Sequence, residues 1–145
     1  MPGAGPPDDV TIGDEEPLYY RVYPDSKSLV RIPSGEYRPS SGSFHSDGPQ
    51  SVNLGSLATP QETRDQERSS IFHVAAFSAG IARMVGCRII REPLPGNHAH
   101  ALVYGNHNRG NGALSKSQKK QIADRARIVL INEHALEGAE TEDTE

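Results

Sequence analysis

The alternation of large apolar side chains appears first in LYYRVY, Leu18 to Tyr23, an aromatic-rich run that predicts a strand. Pro24 and Asp25 mark a turn, and SLVRI after them predicts a short second strand. Residues 33–50 are dominated by Ser, Gly and Pro, which predicts a long loop with one extended stretch around Phe44. SVNLGSL predicts a further short strand. Thr59, Pro60 and Glu62 then combine an N-cap, a proline at the first helical position and a reciprocal acid. The helix they start, predicted through about Ser69, is nearly all polar and belongs on the surface.

IFHVAAF (71–77) predicts a buried strand, and Ser78 caps a short helix, AGIARMV, closed by Gly86. CRII (87–90) and HAHALVY (98–104) predict two more strands. The turn between them, about seven residues, is too short for a helical crossover, so the two form an antiparallel pair. GNHNRGNG reads as a flexible loop. A last helix is predicted from about Lys116 to Leu136, with Ile122, Ala126, Val129 and Leu130 as its apolar stripe and Ala123 beside them. This order predicts an α+β fold: a small, mostly antiparallel sheet with two to three helices.

Composition narrows the domain. Residues 1–17 hold four prolines, three glycines and five acids, and residues 133–145 hold six acids and no Lys or Arg. Such segments bury too little apolar surface to offset the entropy of ordering. The expectation is disordered acidic tails at 1–17 and 137–145 around a single domain at 18–136. The formal net charge of −4 then hides a division, because 8 of 19 acids share residues 18–132 with all 15 Lys and Arg, leaving that stretch at +7. A basic core attracts phosphates, nucleic acid or an acidic protein surface; equally, acidic tails keep a basic domain soluble. Cys87 is the sole cysteine, which excludes an internal disulfide. No apolar run reaches membrane-spanning length and no signal-peptide pattern opens the chain, so the expected location is cytoplasmic, away from membranes.

Several clusters could carry chemistry. On a strand, His98, His100, Leu102 and Tyr104 share one face, and two imidazoles so spaced can reach one Zn²⁺, with His73 or His107 as further ligands. No cysteine pair or nearby carboxylate completes that set. Arg38, Ser40 and Ser41 put a guanidinium beside hydroxyls in a Gly/Ser loop, suited to phosphate or carboxylate. Lys116, Lys119 and Lys120, with Arg109 upstream, load the start of the last helix with cations, while Glu133 and Glu137 load its predicted end with acids. Both signs oppose the helix dipole, and an anion at the N-terminus would relieve one of them. Gly105 to Gly110 has the outer spacing of a phosphate-binding P-loop, but Asn111 and Gly112 stand where its Lys and Ser/Thr belong.

Three resemblances attach to these residues. His98-Ala-His100-Ala-Leu102 is similar to the histidine-triad nucleotide hydrolases; the resemblance implies His100 as nucleophile on an α-phosphate, with Leu102 in place of the third histidine. Arg21 on the first strand, with the Ser-containing segment after Arg38, resembles ADP-ribosyltransferase-like folds, where such residues hold a nicotinamide dinucleotide. No E-x-E or Q-x-E pattern surrounds Glu92, the acid nearest a strand end. Finally, LYYRV, RPSSGSF and LPGNHAHALVYG resemble a group of small uncharacterised bacterial proteins with LYRR, RPSS-x-x-F and PxHAxVxG segments, across residues 18–105. That resemblance carries no activity and marks Arg38, Ser40, Ser41 and His100 as a shared site.

The expectation is therefore a small binding or accessory module whose basic core engages an anionic ligand or partner. The alternative is a nucleotide- or NAD-acting enzyme using Arg38, Ser40 and His100. A third reading is a subunit that binds another protein. No motif names a cofactor or an oligomeric state.

Overall fold

In a computed structural model, residues 6–25, 27–66, 71–107, 110–133 and 140–141 of the 145 are described. Their strands are β1 (Pro17–Val22), β2 (Leu29–Arg31), β3 (Tyr37–Pro39), β4 (Gln50–Leu54), β5 (His73–Ser78), β6 (Arg88–Arg91), β7 (His100–Tyr104) and β8 (Arg127–Leu130). The helices among the same residues are α1 (Pro60–Asp65), α2 (Ala79–Met84) and α3 (Lys116–Arg125). Six strands form one sheet in the order β6-β7-β4-β1-β5-β8, every neighbouring pair antiparallel. β2 and β3 pair separately, also antiparallel, with residues 140–141 alongside β2. The α+β class read from the sequence is the observed one. No described helix is long and apolar enough to cross a membrane.

Alternation decides what each face carries. Leu18, Tyr20 and Val22 of β1 are buried, whereas Tyr19 and Arg21 point to the opposite face. The buried face joins Val52, Leu54, Phe77, Ile89, Ala101 and Val103 to Ala79 and Ala82 of α2 and Ile122 and Ala123 of α3 in one core. Tyr20 stacks on Phe44 with ring centroids 4.9 Å apart and donates to, or accepts from, Ser43 Oγ at 2.9 Å. Both helix starts expected from caps are present: Thr59 and Glu62 form a reciprocal capping box, and Ser78 Oγ accepts from the Ile81 N–H. Gly86, at φ +91, closes α2 in a conformation that a side chain would strain.

Three expectations change. The last helix ends at Arg125, because Ala126 turns to an extended conformation and the chain continues as β8. The run Ile128-Val129-Leu130 is mostly β-branched, and the free edge of β5 pairs with it. A helix-period stripe and a short strand share apolar residues, and the tertiary edge decided between them. Arg125 thus stands at the helix C-terminus with the favoured sign, and Glu133 lies beyond β8; Glu137 falls outside the described residues. Second, Tyr37–Pro39, read as loop, is β3.

Third, residues 6–16, read as part of an acidic tail, run as a strap across the domain. Ile12 is only 2% exposed, and the Asp9 N–H donates to the Ile89 carbonyl at 2.8 Å. Arg83 reaches Asp8 at 3.1 Å and Asp14 at 2.7 Å, and Arg91 reaches Asp9 at 3.2 Å. The charge division along the sequence is closed in space: strap acids sit on core arginines. Ile12→Ala is expected to lower unfolding free energy by about 2 kcal/mol or more in urea titrations. An unchanged midpoint would mean the strap contributes nothing to the fold.

Candidate functional site

The face opposite the core is only partly covered. α1 packs over β1 and β5 and Asn53 of β4 is buried against it, which leaves Ser51 of β4 and His100 of β7 open beside Arg21 of β1. The wall facing α1 is the turn between β6 and β7, pinched by a Leu94–Asn97 bridge in which Gly96 adopts φ +78. Side-chain amides tie the two walls together. Asn53 Nδ2 donates to Thr63 Oγ1 and Gln66 Oε1, both at 2.9 Å, and Asn97 Nδ2 donates to Asn53 Oδ1 at 3.0 Å. Between them lies a cleft of about 350 Å³ lined by Arg21, Ser51, Gln66, Asn97, His100 and the 94–96 turn.

His100 is oriented within this cleft. Its Nδ1 lies 3.0 Å from the Glu92 carbonyl oxygen, and 3.4 Å from Glu92 Oε1. A carbonyl can only accept, so Nδ1 carries a proton, and in the neutral ring Nε2 keeps its lone pair. That lone pair faces Ser51 Oγ at 3.3 Å. The contact follows from sheet register: Asn53 is directly opposite His100, and Ser51 is its diagonal neighbour, within reach of a long side chain. The chain Glu92–His100–Ser51 has the orienter, base and hydroxyl order that activates a hydroxyl. Arg21, donating to the Thr63 carbonyl at 3.2 Å and lying 5.7 Å over the Phe72 ring, adds a fixed cation.

Of the residues singled out in the sequence, Arg21, Glu92 and His100 meet at this cleft and the others fall elsewhere. Arg38, Ser40 and Ser41 line a separate hollow of about 190 Å³ with Lys120 and Asp124, beside β3 and α3. Arg38 there lies 4.0 Å from Asp124. Among the described residues His100 lines a different hollow from Arg38 and Ser40. Lys119 donates to Ser46 Oγ at 3.0 Å, Lys120 pairs with Asp124 at 3.8 Å, and Lys116 is exposed at the first helical position of α3. The α3 start is closed by its own capping box, Ser115 with Gln118, which leaves less for an anion to satisfy. Arg109 lies outside the described residues.

The metal reading gains no support. His98 is exposed and precedes β7, His73 is on the core face of β5 with β1 and β4 intervening, and no described group of three ligands converges. Cys87 is buried, and burial pushes its thiol up to about 12, which makes it a poor nucleophile.

Ser51, Asn53, Gln66 and Asn97 were missed by sequence reasoning. The one local signal was alternation in Ser51-Val52-Asn53, which puts two polar residues on the face shared with Arg21.

The chain matches no family model, no curated protein and no solved structure.

Proposed function

We propose that this chain is a small nucleotide-acting enzyme working in the Arg21–Ser51–His100 cleft, with a nicotinamide dinucleotide as the favoured substrate class. The supporting observation is the hydrogen-bonded order Glu92–His100–Ser51 beside a fixed guanidinium. Arg21 puts a positive charge on the cleft wall, which attracts a phosphate or carboxamide oxygen. His100 Nε2 accepts the Ser51 proton, so the hydroxyl oxygen turns more electron-rich toward the cleft. Glu92 steadies the ring as it becomes charged. The cleft volume falls in the range of small-molecule sites.

The resemblance to ADP-ribosyltransferase-like folds favours this substrate class, with one exchange. The serine beside the first-strand arginine is Ser51 on neighbouring β4, in place of Ser40. Glu92 is engaged with His100, so an acid free to stabilise a sugar cation is the family feature this cleft lacks.

Calorimetric titration with NAD⁺, together with chromatography for released nicotinamide, tests the reading. Arg21→Ala is expected to weaken binding by about tenfold to a hundredfold, the loss of a charge-assisted pair. His100→Ala is expected to cut turnover about a hundredfold or more while leaving binding within a few-fold. No binding of NAD⁺ or of any mononucleotide at millimolar concentration would end it. Binding that depends on Arg21 but yields no product would favour the second reading, a module that holds an anionic ligand without turnover.

A further inference from the structure

The cleft is one end of a longer open face. Along β7, His100, Leu102 and Tyr104 point the same way, so Tyr104 lies about 13 Å from His100, four residues of strand rise. The floor between them is continuous, because Leu102 is in register with Ser51 of β4 on one side and Ile90 of β6 on the other. At the far end Arg88 is in register with Tyr104, its guanidinium carbon 5.8 Å from the ring centroid. These two side chains, with Gly105, Asn106, Gly110 and Gly112 after β7, line a second hollow of about 370 Å³.

We infer that this hollow is a subsite for a nucleobase, placed to receive the far end of a dinucleotide whose near end occupies the His100 cleft. The extension to a dinucleotide rests on the reading of that cleft; the base subsite itself does not. The Arg88 guanidinium, which also donates to the Pro6 carbonyl at 3.3 Å, brings a cation beside the phenol ring, and aromatic heterocycles are attracted to such a wall. Backbone after β7 packs close to the Tyr104 ring. Gly112, at φ +84, lies so near Tyr104 that an added Cβ would sit 3.0 Å from the ring, and Gly110 has φ +70. The Gly105 N–H donates to the Gly112 carbonyl at 2.8 Å and closes the turn. Asn111 is engaged elsewhere, its Oδ1 accepting from the Ala113 N–H at 3.0 Å and its Nδ2 donating to the Ser46 carbonyl at 3.4 Å. The side-chain amide of Asn106, by contrast, makes no hydrogen bond among the described residues and borders the same hollow. An amide offers one acceptor and two donors, the pattern that pairs with the edge of a purine.

Two separate ligands keep the arms apart, each titrated into the full chain and followed residue by residue in amide NMR spectra. AMP is expected to shift Tyr104, Gly105, Asn106 and Gly112, and nicotinamide mononucleotide to shift Ser51 and His100. Asn106→Ala, at an exposed position, and Arg88→Lys, which keeps the charge but removes the planar surface, should each weaken AMP about tenfold. Neither should alter nicotinamide mononucleotide binding. AMP that leaves residues 104–112 undisturbed, or binds equally well to both variants, overturns the subsite. AMP binding here with no response at Ser51 and His100 to nicotinamide mononucleotide upholds the subsite and sinks the reading of the cleft. The converse pattern upholds the cleft and sinks the subsite.

Discussion

Replacing Gln118 with leucine is expected to cost the fold about 3 kcal/mol or more, measured as a fall in the urea midpoint at unchanged slope. Gln118 is 3% exposed and sits where three parts of the chain meet. Its Oε1 accepts from the Asn106 N–H at 2.8 Å and the Ser115 N–H at 2.9 Å, and its Nε2 donates to the Val85 carbonyl at 2.9 Å. Leucine fills similar space but orphans two backbone donors and one acceptor, each at about 1–3 kcal/mol when buried. Against a typical total of about 5–15 kcal/mol the loss is large. The same side chain ties the end of α2 and the start of α3 to the turn that walls the Arg88–Tyr104 hollow. The variant should therefore loosen that hollow before the His100 cleft. A cost below about 1 kcal/mol would mean that water replaces the amide without penalty.

The second large effect is a loss of stability in mild acid through His73. This residue is fully buried; its Nδ1 accepts from the Asn132 N–H at 2.9 Å, and its Nε2 has no hydrogen-bond partner among the described residues. Burial lowers its pKa, so the folded protein holds it neutral. Unfolded, a histidine titrates at about 6.5. Below that pH the unfolded chain binds a proton that the folded chain refuses, and stability falls until the depressed folded pKa is reached. The slope is at most about 1.4 kcal/mol per pH unit for one proton. Asp9 acts in a separate window: its hydrogen bonds with Thr11, then its pairing with Arg91, hold its carboxyl below the ordinary value. Its contribution is present above about pH 4 and fades below it. Urea denaturation at pH 7.5 and 5.0 checks the histidine. Wild type should lose stability between the two, and His73→Gln, which keeps an acceptor for Asn132 but cannot protonate, should lose clearly less. Equal losses would place the pH sensitivity elsewhere.

Much of the frame was legible before any tertiary information. Alternation in Leu18–Val22 and the apolar character of 73–77, 88–90 and 100–104 located strands that pair as an antiparallel sheet, and Thr59 and Ser78 located two helix starts. These signals are local: side-chain period and capping chemistry need only a few neighbouring residues. Residues 127–130 failed because their apolar positions satisfy both periods, and the choice belonged to the vacant edge of β5. Residues 6–16 failed because composition speaks to isolated chain, whereas here the acids meet Arg83 and Arg91 from far along the sequence.

The candidate site was hidden for the same reason. His100 drew attention through its neighbours in sequence, and Arg38 and Ser40 through theirs, yet they line different hollows. Ser51 reaches His100 because β4 and β7, distant in sequence, are paired with Asn53 opposite His100. A shift of that register by one residue would turn Ser51 into the core and end the contact. The amino-acid order by itself thus determined which segments extend, which coil and which faces are apolar. Only the tertiary structure decided which polar residues meet, because strand order and register are settled by long-range packing.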